Sequence, residues 1–126
     1  MTYYEAIRAG QALNKLAGVP LPYQTARQVQ RWQAYCAKAM QEAESRDAEI
    51  CQRLGGKVEG ADVRFTDSES AAQYRSEREW LLRQEPPLPL PVKLDLREVL
   101  PTLRISADAL SALAPVARME DDDETA

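Results

Sequence analysis

Leu16-Ala17-Gly18-Val19-Pro20-Leu21-Pro22-Tyr23-Gln24-Thr25 decides the fold. Gly18 is a natural residue to follow a helix end, and Pro20 and Pro22 lack the N–H that would continue one. Upstream, Thr2 and Glu5 have capping-box spacing. Ala6, Ile7, Ala12, Leu13, Leu16 and Ala17 supply an apolar stripe, so the spacing predicts a helix over residues 3–17. Downstream, Thr25 with Gln28 reads as a second capping box. No glycine or proline follows until Gly55-Gly56. The second helix therefore runs to Leu54, about 45 Å at ~1.5 Å per residue. A connector this short favours antiparallel neighbours, and the pair forms a helical hairpin.

The second arm is about twice the length of the first. Its apolar positions are Val29, Trp32, Cys36, Met40, Ala43, Ile50 and Leu54. Their spacings hold one face, interrupted where Asp47 falls near the seam. The stretch from Met40 to Leu54 must be covered by later chain or by another molecule, which leaves a homo-oligomer open.

Val58 and the Val63/Phe65 pair flank a glycine-containing turn and read as a small β-hairpin or ordered loop. Thr66, Asp67 or Ser68 then caps a third helix through about Gln84. Its face of Ala71, Tyr74, Arg78 and Leu81, with Trp80 beside it, is the expected cover for the long helix. Glu85 to Pro91, rich in proline, forms an extended connector. Val92, Leu94 and Leu96 alternate with Lys93, Asp95 and Arg97 as a strand with one apolar face. Leu100 to Ile105 is irregular, and Ser106 caps a short helix ending near Leu113. The fold class is mainly α: an antiparallel hairpin with a long second helix, a third helix packed on it, and an extended C-terminal segment with a short helix. Residues 1–118 form one domain, with residues 119–126 as an acidic disordered tail.

The chain has 126 residues, 44 % hydrophobic and 29 % charged, with a net charge of −4. Those proportions suit a folded domain. Five acidic residues, Glu120 to Glu124, account for the excess. The rest carries 16 positive and 15 negative charges. A near-neutral body argues against a nucleic-acid binder. Arg27, Arg31, Lys38, Arg46 and Arg53 on the long helix read as spread around it. No signal peptide or membrane-length apolar run is visible. Cys36 and Cys51 share one helix about 22 Å apart and read as reduced core residues of a cytoplasmic protein.

There is no histidine, which removes the commonest general base and metal ligand. No phosphate-cradling glycine loop or nucleophile elbow is present. No cofactor or metal is expected, and the chain reads as a non-enzyme. Glu42, Glu44, Asp47 and Glu49 read as a solvated acidic face with a local ion pair, and Asp108 as a complement to a helix dipole. Arg83, Pro86 and Pro89 have the spacing of a polyproline ligand, read here as a stiff connector. Trp32 and Trp80 read either as core between the second and third helices or as interface anchors. The candidate partner-binding residues are Trp32, Met40, Ile50, Leu54 and Trp80.

The stretch Ala12-Leu13-Asn14-Lys15-Leu16-Ala17, then Leu21-Pro22 and Thr25-Ala26, resembles an uncharacterised family of small tailed-phage and prophage proteins. Ile105-Ser106-Ala107-Asp108-Ala109-Leu110-Ser111-Ala112-Leu113-Ala114-Pro115 resembles the same family's ending. The middle of the chain is unmatched, and Glu85 to Pro91 is richer in proline. The resemblance implies a phage or prophage product in a bacterial cytoplasm, possible association with virions, and no established site. The expected function is protein–protein binding, accessory to virion assembly or structure. The alternative is an inhibitor of a host defence protein. Nucleic-acid binding and a carboxylate-based metal hydrolase stand behind both.

Overall fold

The computed structural model describes residues 1–119. Helix α1 spans Tyr3–Leu16 and α2 spans Tyr23–Arg53. The first capping box is complete: the Glu5 amide donates to the Thr2 hydroxyl at 3.2 Å, and the Thr2 amide donates to the Glu5 carboxylate at 2.9 Å. The second expected box is absent. Helix α2 starts three residues earlier, with Pro22 in place of Thr25 as a cap that makes no side-chain hydrogen bond. Proline presets the entry dihedral, Thr25 is buried in the first turn, and the Gln28 amide oxygen accepts instead from the Asp95 N–H at 3.1 Å.

The hairpin closes on small residues. Ala6, Ala9 and Ala12 are buried on α1, and a methyl group on Gly10 would stand 3.1 Å from the Cys36 Cβ. Helix α2 answers with Val29, Trp32, Cys36, Ala39 and Ala43. Met40, expected in this seam, is displaced from it and is 44 % exposed. The small α1 face brings the backbones close, and at 3.6 residues per turn Ala39 takes the inward position.

The long end of α2 is covered by its own chain. Strands β1 (Lys57–Glu59) and β2 (Asp62–Arg64) form the expected antiparallel hairpin, turning at Gly60 in the left-handed region. Helix α3 spans Ser68–Leu82, capped by Asp67, which accepts from the Ser70 amide at 2.6 Å. It docks on α2 through Tyr74, Glu77, Arg78 and Leu81. Tyr74 donates to Asp47, Arg53 pairs with Glu77, and Arg78 approaches Asp47 at 3.5 Å. Leu81 fills the inward position, so the adjacent Trp80 turns to solvent at 61 % exposure. The core reading of Trp80 is thereby corrected.

The proline segment is tied at both ends. The Gln84 carbonyl accepts from the Tyr3 N–H at 2.9 Å, and the Val92 carbonyl accepts from the Trp32 indole at 2.9 Å. Pro86 is buried, which takes the middle residue of the polyproline-ligand pattern out of reach. Val92 faces solvent, so the expected apolar alternation begins only at Leu94 and Leu96, both fully buried. There β3 (Leu94–Asp95) pairs in parallel with β4 (Ala117–Arg118), a pairing absent from the sequence expectation. Between them lie a 3₁₀ turn, Leu100–Thr102, and α4, Ala107–Leu113, capped by Ser106 and packed on α1. Asp108 on α4 pairs with Arg8 on α1 at 3.1 Å. Met119 packs against the core, and the rest of the expected tail lies outside the described residues. Among the described residues, no helix is long and apolar enough to cross a membrane.

Candidate functional site: a groove over the first helix

The side of α1 facing away from the core is a row of Tyr4, Ile7, Gln11 and Asn14, at spacings that keep one helical face. Three depressions lie along this row. One of about 330 Å³ runs between α1 and α2, with Gly10, Ala37 and Met40 in its walls. The next, about 170 Å³, shares Ile7 and Met40 with it and reaches Leu82 of α3. A third, about 240 Å³, shares Leu82 and ends at Tyr4 and Arg83. Neighbouring depressions share lining residues, so the three lie in series along one shallow, grooved surface bordered by α1, α2 and α3.

The groove exists because its floor is made of small residues. The alanines and Gly10 that let the two helices approach leave nothing tall beside them. Met40, displaced from the seam, stands at its edge, and Tyr4 stands at the far end, 53 % exposed. The Arg8 guanidinium lies 5.9 Å from the Tyr4 ring centre, within cation–π range. The rim is polar: Gln33 donates to Asn14 at 3.0 Å across the two helices. Cys36 borders the floor, and burial pushes its thiol up to about 11, so it offers no thiolate near neutral pH.

Of the sequence-expected partner residues, only Met40 lines this groove. Trp32 is 2 % exposed, packed edge-on to Tyr35 with ring centres 5.5 Å apart. It is a core residue and not a surface anchor. Ile50, on the stretch of α2 beyond the groove, and Leu54, which caps that helix, are half-buried. Trp80 is exposed on α3 but lines none of the three depressions. Tyr4 and Leu82 were not singled out from the sequence, and Ile7, expected in the apolar stripe of α1, stands instead on its outer face. The signal for Tyr4 and Ile7 was present, since Tyr4, Ile7, Gln11 and Asn14 repeat at helical spacing on the side away from the buried Ala9, Leu13 and Leu16.

Two of the acidic residues of α2, Glu42 and Asp47, serve structure, and Glu44 and Glu49 are exposed. Glu42 accepts from the Tyr3 hydroxyl at 2.8 Å and pairs with Arg46 at 3.1 Å. Asp47 is held by Tyr74 and Arg78. Among the described residues, no three His, Cys, Asp or Glu side chains are grouped to hold a metal ion.

The fold defines a mainly helical protein with a helical hairpin, a third helix docked on its longer arm, and a shallow surface groove. In comparisons with protein-family models, characterised proteins and solved structures, the chain matches none.

Proposed function

We propose that this protein acts by protein–protein binding, with the groove over α1 receiving an apolar helix of a partner protein. The observation that carries this reading is the series of adjoining depressions from Gly10 through Ile7, Met40 and Leu82 to Tyr4. Its small floor, half-exposed methionine and terminal tyrosine match helix-in-groove recognition, in which flexible and aromatic side chains supply contact area. The resemblance of residues 12–26 and 105–115 to small tailed-phage proteins supports a phage structural protein as the partner, in a role accessory to virion assembly.

Co-purification of tagged protein from phage-infected bacteria tests this reading. A virion component recovered with the wild type and lost with Ile7→Glu or Met40→Glu supports it. Recovery undiminished by both substitutions removes the groove from the account. A host defence protein in place of a virion component moves the reading to the inhibitory role.

A further inference from the structure

A second surface lies on the other side of α2. Arg27, Arg31 and Lys38 are not spread around α2 as expected: separated by four and seven residues, they share one exposed face about 16 Å long. The proline segment borders it: Arg31 and Lys38 flank a depression of about 190 Å³ against Leu88, Pro89 and Pro91. Exposed Lys93 follows at the edge of β3. Elsewhere, Arg8, Arg46, Arg53, Arg64, Arg78 and Arg97 each pair with a carboxylate. Among the described residues, Arg27, Arg31, Lys38 and Lys93 have no carboxylate within 4.0 Å. The nearby acids are committed: Asp95 to Arg97, Glu42 to Arg46, and Glu85 to the Met1 amine.

The chain carries the complementary charge where it can reach this strip. Strand β3 is anchored to α2 by the hydrogen bond from Asp95 to Gln28, one residue from Arg27. Strand β4 lies alongside β3, the Leu96 N–H donating to the Arg118 carbonyl at 2.9 Å. Met119 follows, and then Glu120, Asp121, Asp122, Asp123 and Glu124. Residues 120–126 can span about 23 Å when extended.

We propose that the acidic segment Glu120 to Glu124 occupies the basic strip formed by Arg27, Arg31, Lys38 and Lys93. The strip is an intramolecular docking surface for a polyanionic segment, and this segment shields it from other anions. The attraction is between exposed charges and is screened by salt.

A nitroxide attached to the 126-residue chain carrying Ala126→Cys tests this, because Cys36 and Cys51 are both 4 % exposed and leave the new thiol as the reactive one. In ¹⁵N NMR at low salt, the amides of Arg27, Arg31, Lys38 and Lys93 are expected to lose at least half their intensity. The loss is expected to disappear in 0.5 M NaCl, and in a labelled variant with all five acids changed to Gln or Asn. No selective broadening at low salt overturns the proposal, as does equal broadening in the neutralised variant. Broadening that appears only between labelled and separately isotope-enriched molecules assigns the strip to a second copy, which also overturns it.

Discussion

The Tyr74 hydroxyl of α3 donates to both carboxylate oxygens of Asp47 on α2, at 2.8 and 2.9 Å. Asp47 is the residue that interrupts the apolar seam of the long helix. The interruption is what docks the third helix: a carboxylate near the seam gives the tyrosine a charged acceptor. Tyr74→Phe is expected to destabilise the fold by about 1.5 kcal/mol, the usual loss for a hydrogen bond to a charged group. Chemical denaturation checks this, and the loss should vanish when Asp47 is already Ala, which leaves the hydroxyl no acceptor. An equal loss in both backgrounds would show that the bond contributes nothing specific.

Tyr74 and Tyr3 both contribute to the alkaline limit of stability. Burial, and then the hydrogen bonds to Asp47 and Glu42, push Tyr74 and Tyr3 up to about 12. The unfolded chain ionises its tyrosines near pH 10. Their contribution is present below that pH and is lost as pH climbs through about 12. Thermal unfolding is expected to fall steeply across this window, and less steeply in Tyr3→Phe/Tyr74→Phe. Parallel profiles would contradict the assignment.

At the acid end, hydrogen bonds from the Arg97 side chain and backbone hold the Asp95 carboxyl down at about 2. Its contribution is present above about pH 4 and is lost as pH falls towards 2. The pair is partly exposed, so the effect is modest, about 0.5 kcal/mol. Asp95→Asn is expected to lower the melting temperature slightly at pH 7 and to match the wild type near pH 2.

The exit from α2 separates two glycine roles. A methyl on Gly56 would lie 2.7 Å from both the Cys51 sulfur and a Phe65 ring carbon. Gly55 has open space but a φ of 76°. Gly55→Ala should cost about 1 kcal/mol of backbone strain. Gly56→Ala should cost about 2 kcal/mol of overpacking, together with faster amide exchange across β1 and β2. Equal exchange in the two variants would show that the hairpin is not packed through Gly56.

These contrasts explain what was legible in the sequence. Gly18, Pro20, Pro22 and the Thr2–Glu5 box act on the backbone within a few residues, so the hairpin, the end of α2 and the cap of α4 could be read directly. Asp67 was one of three possible caps for α3. The β3–β4 pairing could not be read, since two-residue strands get their register from distant partners, here Leu94 with Val116. The false capping box at Thr25 failed because Gln28 serves β3. The groove was half legible. Its α1 face shows helical spacing, but its depth depends on Ala39 rather than Met40 facing α1, a rotation fixed only when the two helices pack.

The most direct test of the central claim is site-specific photo-crosslinking in phage-infected bacteria, with a photoreactive amino acid at Met40 or Ile7 and a control at Val58 on β1. The account predicts one discrete adduct with a phage structural protein from positions 40 and 7 and none from position 58. An adduct formed equally from position 58, or none from positions 40 and 7 in protein that is folded and expressed, would contradict it.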